Sequence, residues 1–377
     1  MTILPPHRLD LAGHRRRNGV VPWVAYHGED GRDRLIEAVA AADLRGRGGA
    51  GFPTARKLRA ARKPRSIVVA NGCEGDPLSH KDAALLTLSP HLVLDGLQLA
   101  AHAIGAGETV LCVHQGSPVL PGVRAALAER DDRVPVRVEE IPRRYVASEE
   151  TALVHHLTSG DARPLGKSPR PDERGVRGRP TLVDNVDTLA QLALVILQGP
   201  QHYCAARVDL VTVTGAVRRP GVVEVPAGAS LSTALAAAGG EAEPLQAVLS
   251  GGYGGTWTAD FRSGLSGISA VYALPARACG LEYTAKVLAF PAAESARQCG
   301  PCMFGLPAIA ADFAELLRGG GPATARLARR LPLLSGRGAC AHPDGAARLA
   351  TSALQVFGPD VAAHSAGGRC RVLERVA

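Results

Sequence analysis

The sequence predicts a multidomain α/β protein with an α/β domain at 1–200, a small domain at 201–280 and a helical domain at 281–377. Three observations carry this prediction. Strand-like and helix-like segments alternate as far as Gln198, which indicates a mainly parallel sheet covered by helices. From about Arg207, strand-like runs are broken by Gly and Pro. The last part shows helical patterns joined by short turns.

The alternation in the first domain can be followed along the chain. RSIVVANG (65–72) is a β-branched run ending in Asn-Gly, which predicts a strand and a turn. HLVLDGLQLAAHAIG (91–105) has apolar residues at helical spacing and a glycine stop, and TVLCVH (109–114) is again a strand. Ligands of parallel sheets bind beyond the carboxyl ends of the strands. ANGCEGDP (70–77) is therefore a candidate binding segment.

The second and third domains have different patterns. VDLVTVTGAVRRPGVVEVPAGASL (208–231) predicts strands, and LSTALAAAGG (231–240) predicts a helix, so the second domain reads as small and α+β. A helical bundle is the simplest arrangement for the third domain. Its amphipathic segments are EYTAKVLAFPAAES (282–295), PAIAADFAELLRGG (307–320), ATARLARRLPLL (323–334) and DGAARLATSALQVFG (344–358).

Composition excludes several classes of function. Net charge is +8 and the pI is 9.3, but the excess is mostly arginine scattered along the chain, with only 4% aromatic residues. Nucleic-acid binders gather their basic residues and add stacking rings, so we expect no nucleic-acid partner. No apolar run reaches the roughly 18 residues of a membrane span, and the N-terminus lacks a signal-peptide pattern. We therefore expect a cytoplasmic protein without disulfides.

A glycine-rich segment is the strongest local signal. RGRGGAGFPTARK (45–57) places four glycines within six residues, flanked by Arg45, Arg47 and Lys57. Glycines let backbone N–H groups approach an anion, a following helix adds its positive end, and the cations neutralise phosphate. The segment fits neither the dinucleotide GxGxxG pattern nor a Walker loop. A phosphate cradle is the functional interpretation, and a flexible surface loop is the alternative.

The sequence of this loop resembles that of the flavin loop in the NADH-oxidising flavoprotein subunit (FMN and iron–sulfur) of respiratory complex I. That family also includes flavoprotein subunits of NAD-linked hydrogenases and formate dehydrogenases. The similarity continues in order from about Ala40 to Phe357 and implies an FMN-binding α/β domain, a small β-grasp domain of the soluble-ligand-binding type and a helical bundle with an iron–sulfur motif. The matching segments are GRGGAGFPT (46–54), VVANGCEGDPLSHKD (68–82), YVASEETAL (145–153), RGRPTLVDNVDTL (177–189) and VTGAVRRPGVVEVPAGASL (213–231).

The resemblance also implies which residues contact FMN and NADH. Asn185 falls near the FMN phosphate, Asp76 beside the nicotinamide, and Phe52 on one of the rings that clamp adenine. Asp76 and Glu150 are the implied catalytic residues, because they would position the donor and tune the flavin. The full implied cofactor-binding set is Gly46, Arg47, Gly48, Gly49, Phe52, Lys57, Asn71, Glu74, Asp76, Tyr145, Glu149, Glu150 and Asn185.

Departures from the family pattern fall around the nucleotide. Cys73 replaces an aspartate, Ser148 a glycine, and Asp184 an asparagine, which adds negative charge where a phosphate is expected. Ala60 and Arg170 occupy the other two positions of the adenine clamp. Because stacking contributes on the order of 1–3 kcal/mol per ring, loss of two rings is expected to weaken NADH binding, and the sequence supports FMN binding better than NADH binding.

A cysteine cluster lies in the helical domain. ESARQCGPCMFG (294–305) resembles the family motif that gives three thiolates to a [4Fe–4S] cluster, whose fourth ligand follows about 40 residues later. Cys299 and Cys302 match the second and third ligands, and Cys340 matches the fourth. Ala296 stands at the first position and cannot bind iron.

Three outcomes remain open for this incomplete ligand set. A [4Fe–4S] cluster takes a substitute ligand from solvent, His342 or Cys370, or a three-iron cluster forms. Alternatively no iron–sulfur cluster forms, and the thiols are structural or bind zinc, which three thiolates and a histidine would suit.

The resulting prediction is a flavin-dependent, NADH dehydrogenase-like oxidoreductase. Electrons from NADH or a related donor would pass through FMN to the iron–sulfur cluster, and then to a partner protein or quinone pathway. Its partners would be other electron-transfer subunits, ferredoxin-like or complex I-like, in the cytoplasm or peripheral to a membrane complex. The alternatives are a redox-inactive scaffold subunit, a diverged paralogue that binds FMN but not NADH, and a small-molecule-binding module.

Overall fold

The computed structural model describes residues 2–265, 267–367 and 370. The chain forms two compact units. The first consists of Met1–Glu74, His80–Arg143 and Ala147–Asp209, and the second of Gly75–Ser79, Arg144–Val146 and Leu210–Ala377. Two short segments of the predicted binding motifs thus belong to the second unit. The domain boundaries drawn from the sequence, at 200 and 280, stay a prediction.

A four-stranded parallel sheet forms the centre of the first unit, with strand order β3-β2-β1-β4. Its β-branched strands are largely buried, as expected for a parallel sheet covered on both faces. This confirms the α/β fold predicted from the alternating segments. The strands are β1 (Ile67–Asn71), β2 (Glu108–His114), β3 (Val136–Ile141) and β4 (Thr181–Asn185).

Ten helices accompany this sheet among the described residues of the first unit. They are α1 (Leu11–Asn18), α2 (Gly28–Ala41), α3 (Thr54–Ala61), α4 (Lys81–Leu88), α5 (Pro90–Ile104), α6 (Leu120–Ala128), α7 (Glu150–Ser159), α8 (Pro171–Arg174), α9 (Val186–Gln198) and α10 (Pro200–Ala206). Helix α5 ends at Gly105, which has the left-handed conformation predicted for a glycine stop. Both α5 and α9 are buried over most of their surface, so they form the interior of this unit.

A glycine sets the distance between α5 and α9. A Cβ atom on Gly96 would lie 1.8 Å from the carbonyl oxygen of Leu189, so no larger residue fits there without moving a helix. Because α9 follows β4 directly, this contact also fixes the position at which α9 begins.

A mixed sheet with the order β6-β5-β9-β7-β8 begins the second unit. Strands β5 and β9 are parallel, whereas β7 is antiparallel to both β8 and β9. Helix α11 (Leu231–Ala237) covers the sheet through Leu231 and Leu235, consistent with the small α+β domain that was predicted. The strands are β5 (Val208–Gly215), β6 (Gly221–Pro226), β7 (Leu245–Ser250), β8 (Thr256–Thr258) and β9 (Ala270–Pro275).

Helices make up the rest of the second unit and confirm the predicted bundle. They are α12 (Gly280–Ala293), α13 (Leu306–Leu317), α14 (Pro322–Arg330), α15 (His342–Val356) and α16 (Gly358–Ser365). Phe313 and Phe357 are buried among them. Trp257 of β8 packs edge-on against Phe357, and its indole donates to Thr284 Oγ1 of α12 at 2.9 Å. These contacts join the small sheet and the bundle into one core.

No single helix in the described part of the chain is long and apolar enough to cross a membrane. Helices α4 and α5 pass that test only as a pair, by length and composition, and they are bent by 98° where they meet.

Replacing Gly96 with alanine tests the α5–α9 contact. The added methyl group forces the helices apart, so we expect Gly96→Ala to lower the free energy of unfolding by about 1–3 kcal/mol in denaturant titrations. Gly122→Ala on α6 is the matched control, because a Cβ there meets nothing within 4 Å. The control should be neutral or stabilising by up to about 1 kcal/mol. Equal stability of the two variants would contradict the packing described.

Candidate functional site

Two strand ends lie side by side at the carboxyl edge of the parallel sheet. Asn71 ends β1 and Asn185 ends β4, and the two residues are register partners. Asn185 is also the N-cap of α9, because its Oδ1 accepts a hydrogen bond from the backbone N–H of Asp187 at 3.0 Å. This is the sheet edge at which α/β folds bind ligands.

The glycine-rich loop is closed on itself and tied to the first turn of α9. The backbone N–H of Gly46 donates to the carbonyl oxygen of Phe52 at 2.9 Å. The backbone N–H of Arg47 donates to Thr188 Oγ1 at 2.8 Å, and its guanidinium pairs with Asp209. The loop therefore has a defined shape, which disfavours the flexible-loop interpretation.

The glycines of the loop leave space where side chains would stand. A Cβ on Gly48 would lie 3.7 Å from the Cβ of Asn185. Gly49 and Gly51 have φ of +99° and +61°, and a Cβ on either would meet nothing within 4 Å. The loop thus exposes backbone beside the N-terminus of α9, which carries a partial positive charge and suits an anion.

Lys57 on α3 joins three elements next to this loop. Its Nζ donates to the carbonyl oxygen of Val183 and lies 3.1 Å from Glu150 Oε1 and 3.4 Å from Asp184 Oδ1. Burial opposes the charged form, but attraction to Asp184 and Glu150 outweighs it and raises the pKa of Lys57. Lys57 is therefore a permanent cation connecting α3, β4 and the start of α7.

Asp184 is a carboxylate where the family pattern has an asparagine. In the structure, Lys57 offsets the negative charge of this carboxylate. The side chain is buried, which raises its pKa, while Lys57 works in the opposite direction. Its Oδ2 atom has no hydrogen-bond partner among the described residues, and neither does the buried Thr54 Oγ1 at the start of α3. Buried polar atoms are normally paired, so these two are available to a polar ligand.

Sequence analysis missed a buried charged network beneath Asn185. Lys81 pairs with Asp82, lies 3.5 Å from Asp187, and donates to Asn185 Oδ1 at 3.0 Å. Asn185 Nδ2 donates to Asp82 Oδ2 at 2.6 Å. Burial raises the pKa of Asp82 to about 7, although Lys81 opposes this shift. The sequence did contain a signal for this network. Lys81 and Asp82 lie in the matching segment 68–82, and Asp187 lies in the matching segment 177–189.

Asn71 and Glu74, two further members of the implied cofactor-binding set, hold loops of the first unit together. Asn71 Nδ2 donates to the carbonyl oxygen of Ser148 at 2.9 Å, which ties β1 to the segment before α7. Glu74 Oε2 accepts from the backbone N–H of Ala83 in the first turn of α4 at 3.1 Å.

The two adjacent glutamates have different surroundings. Glu149 caps α7 and accepts hydrogen bonds from the backbone N–H groups of Thr151 at 2.9 Å and Ala152 at 3.0 Å. Burial raises its pKa, and these bonds oppose the shift. A helix-capping role is thereby established for Glu149, whereas Glu150 extends toward Lys57.

The implied adenine clamp has one ring, that of Phe52, in the glycine-rich loop just before α3. Phe52 is 41% exposed, and the Arg56 guanidinium lies 5.4 Å from its ring centroid. Ala60 and Arg170 are both exposed. Arg170 precedes the short helix α8. Only Phe52 of these three positions therefore offers a ring for stacking.

Asp76 lies in the second unit and is engaged by backbone groups. Its carboxylate accepts from the backbone N–H of Tyr253 at 2.7 Å and from that of Leu78 at 2.9 Å. A Cβ on Gly252 would lie 1.9 Å from Asp76 Oδ2, so the carboxylate presses directly on this turn. These bonds show a structural role, and the implied catalytic role stays a prediction.

Tyr145, also in the second unit, lies beside the cysteine region. Its ring centroid is 4.8 Å from that of His342 and 5.8 Å from that of Phe290, and its backbone N–H donates to Glu294 Oε2 at 3.3 Å. Burial raises the pKa of its hydroxyl. His342 Nε2 donates to the carbonyl oxygen of Pro291 at 3.0 Å. Because this nitrogen carries the proton of that hydrogen bond, it cannot also bind iron.

Two thiols of the predicted iron–sulfur motif, those of Cys299 and Cys340, are near enough to Cys302 to shift its pKa, although the three sulfur atoms do not all lie within 4.8 Å of one another. Cys302 is buried in a single π-helical turn, Pro301–Gly305, a distortion that often marks functional sites. Burial, and then the neighbouring thiols of Cys299 and Cys340, raise its pKa to about 11. Cysteine thiolates are the ligands that iron–sulfur clusters use, so the donor type fits.

The set lacks a first protein ligand, because Ala296 has no donor atom. The neighbouring Ser295 Oγ donates to the carbonyl oxygen of Cys302 at 3.1 Å. Cys370, considered as a substitute ligand, has its thiol within 4.8 Å of Cys279 and His364.

Three models of known protein families match this chain. The Nuo51 FMN-binding domain matches residues 39–194, the SLBB domain residues 210–255, and the NADH-ubiquinone oxidoreductase-F iron-sulfur binding region residues 282–364. Their order is the one that the sequence motifs predict.

Individual relatives cover most of the chain. The NADH-quinone oxidoreductase F 2 subunit of Rhizobium meliloti is 29% identical over 386 aligned positions, which cover 91% of each chain. The HoxS alpha subunit of the NAD-reducing hydrogenase of Cupriavidus necator is 31% identical, covering 55% of this chain and 38% of its own. A crystal structure of an NAD⁺-reducing [NiFe]-hydrogenase in the H₂-reduced state matches with a TM-score of 0.83 at 29% identity. That match covers 92% of this chain and 64% of the other.

Asn185→Ala tests whether the site depends on the buried network. The variant loses a helix cap and hydrogen bonds to Asp82 and Lys81, so we expect the free energy of unfolding to fall by about 2–3 kcal/mol. Ser230→Ala is the control, because Ser230 also caps a helix, α11, but is only half-buried and caps it through an exposed hydrogen bond. Its loss should be about 1 kcal/mol or less. Equal losses in thermal or denaturant unfolding would show that the network contributes nothing.

Proposed function

Because this chain belongs to the family of NADH-oxidising flavoprotein F subunits of NADH-quinone oxidoreductases, we propose that it is a flavin-dependent oxidoreductase. In this proposal electrons pass from NADH through FMN to an iron–sulfur cluster. The observation that carries it is the glycine-rich loop, tied to the first turn of α9 at the carboxyl edge of the parallel sheet.

The loop and its surroundings fit the phosphate of FMN. Gly48, Gly49 and Gly51 expose backbone next to the N-terminus of α9, and Lys57 supplies a permanent cation. Thr54 Oγ1 is a buried polar atom without a partner among the described residues, so a hydrogen bond from or to a ligand would satisfy it.

The charge of Lys57 is partly neutralised by neighbouring carboxylates, which is expected to weaken its attraction for the FMN phosphate. Lys57 already faces the carboxylates of Asp184 and Glu150. A phosphate must compete with these two charges, and Asp184 in particular repels it. Backbone N–H groups and the helix end therefore contribute more of the phosphate affinity here than the lysine does.

The chain's own residues bind and orient the cofactor and the donor. Bound FMN supplies the capacity to accept a hydride and release its electrons singly. Asn71, through its bond to Ser148, fixes the segment before α7, and Glu150 remains ion-paired to Lys57 at the edge of the site. Roles for Glu74, Asp76 and Tyr145 at the flavin are proposed from their motif positions.

A cluster held by Cys299, Cys302 and Cys340 is the proposed electron exit. The influence of Cys299 and Cys340 on the pKa of Cys302 supports this proposal, and bound iron would draw the thiols into the thiolate form despite the raised pKa of Cys302. The fourth ligand comes from a group other than residue 296. The proposed partners are further electron-transfer subunits, and the proposed location is the cytoplasm or the periphery of a membrane complex.

A paralogue that binds FMN but takes another donor is the second candidate. Phe52 offers the only ring among the three clamp positions, and both Ala60 and Arg170 are exposed. Loss of two stacked rings at about 1–3 kcal/mol each would weaken NADH binding by at least about thirtyfold.

Anaerobic purification with measurement of flavin, iron and the visible spectrum tests the main proposal. We expect bound or readily added FMN, iron in the protein, and bleaching of the oxidised flavin band as NADH is added. A protein that is free of iron and cannot take up FMN would disprove the redox function. Flavin that NADH does not bleach, but dithionite does, would favour the second candidate.

Cys302→Ser provides the control for this experiment. It should lose most of the iron while keeping flavin, because Cys302 belongs to the thiol set and not to the phosphate loop. Cys204→Ser, at an exposed thiol on α10, should change neither.

Asp184→Asn tests the competition for Lys57. Removing the carboxylate leaves Lys57 more available to the phosphate, so we expect FMN to bind about tenfold more tightly, a gain of about 1.4 kcal/mol. Fluorescence titration of the flavin-free protein with FMN measures this. Asp161→Asn, which removes an equal charge from an exposed pair with Arg163, is the control. If Asp184→Asn binds FMN no better than this control, Asp184 does not oppose the phosphate.

A further inference from the structure

A second thiol group lies in the helical part of the second unit, apart from the iron–sulfur motif. The ligand atoms of Cys279, His364 and Cys370 all lie within 4.8 Å of one another, and Cys279 Sγ is 3.7 Å from His364 Nε2. All three residues are at most 9% exposed. Two thiols and an imidazole that converge in a buried position are typical ligands of zinc. We propose that these residues bind a single zinc-class divalent cation.

The spacing favours one ion. Zinc lies about 2.3 Å from thiolate sulfur and about 2.0–2.1 Å from imidazole nitrogen in tetrahedral sites. Two such ligand atoms are then separated by roughly 3.5–3.8 Å, which the distance between Cys279 Sγ and His364 Nε2 matches. Small rotations of the side chains bring all three atoms into the coordination sphere of one ion.

The helix that begins at the site prepares Cys279 as a thiolate ligand. Cys279 is the N-cap of α12, and its sulfur accepts the backbone N–H of Glu282 at 3.4 Å. A helix N-terminus stabilises the negative charge of a thiolate. His364 lies in the last turn of α16 and directs Nε2 at that sulfur, which leaves Nδ1 for an orienting hydrogen bond.

Packing next to the ligands holds the two helices in place. Gly280 follows Cys279, and a Cβ there would lie 2.2 Å from the ring of Phe357, the residue that precedes α16. The start of α12 is thereby fixed against the start of α16, so Cys279 and His364 belong to a rigid frame. Cys370 brings the chain beyond α16 back to this frame and is itself buried in the same core.

The consequence of the site is structural. Cys279 and His364 are separated by 85 positions, and Cys370 lies further along the chain, so one ion connects both ends of the bundle. Binding free energy of such an ion is folding free energy, because the site does not exist in the unfolded chain. The residues at 2–265, 267–367 and 370 supply three ligands, which leaves the fourth position to water.

Titration of the full-length, metal-free protein with Co²⁺ tests the proposal, since cobalt reports thiolate ligation by a strong near-ultraviolet charge-transfer band. We expect about one Co²⁺ per chain to bind, and Zn²⁺ to displace it. Cys302→Ser should keep the band. In the Cys302→Ser background, which disables the other thiol set, His364→Gln should weaken Co²⁺ binding at least about tenfold, and Cys279→Ser with Cys370→Ser should abolish the charge-transfer band.

Controls separate loss of ligation from loss of folding. Cys204→Ser should bind Co²⁺ as the wild type does, because Cys204 is exposed on α10. A chelator should lower the melting temperature of the wild type and leave that of the double variant unchanged. If the double variant does not fold, the test of metal binding rests on three other proteins. These are the wild type, Cys302→Ser and His364→Gln.

Three results would overturn the proposal. The first is a wild type without a charge-transfer band. The second is loss of the band in Cys302→Ser rather than in His364→Gln, which would assign the ion to the iron–sulfur thiols. The third is a disulfide between Cys279 and Cys370, detected by mass spectrometry of the non-reduced protein as purified. None of these outcomes depends on FMN or NADH, so the proposal stands or falls independently of the oxidoreductase function.

Discussion

The amide of Asn185 is the interaction on which the candidate site depends. Its oxygen caps α9 and accepts from Lys81, while its nitrogen donates to Asp82. The side chain thus fixes the start of α9 against the carboxyl end of β4 and satisfies a buried charged pair. The glycine-rich loop is then attached to the same turn through Thr188. Removing this amide would leave Lys81 and Asp82 paired with each other but without their hydrogen bonds to Asn185, so the network and the loop are supported by the same few hydrogen bonds.

Charge at the loop is balanced within the protein rather than left for a ligand. Lys57 is held between Asp184 and Glu150, and its pKa is raised because attraction to these carboxylates exceeds the cost of burial. A cation arranged in this way orders three structural elements, but it contributes less to binding an anion. The exposed glycine backbone and the helix end carry a correspondingly larger part of that task.

The cysteines of the helical part divide into two sets with different chemistry. Cys299, Cys302 and Cys340 lie around a π-helical turn, and their donor type suits iron. Cys279 and Cys370 converge on an imidazole at a helix N-terminus, where a single smaller ion fits. Cys370 therefore belongs with Cys279 and His364. It does not replace the iron ligand that is missing at Ala296, so that ligand must come from another group.

The sequence by itself determined the order of elements, the parallel sheet, the glycine stop at Gly105 and the segments that form the loop. These features are encoded locally, in β-branched runs, helical periodicity and glycine spacing. Only the tertiary structure decided that Asp184 pairs with Lys57, that Lys81 lies in a buried network and that His364 meets Cys279. Lys57 and Asp184, Lys81 and Asp187, and Cys279 and His364 are each separated by at least 85 positions. Such pairings arise from how helices pack on sheets and on each other, and burial then decides which charges must be paired.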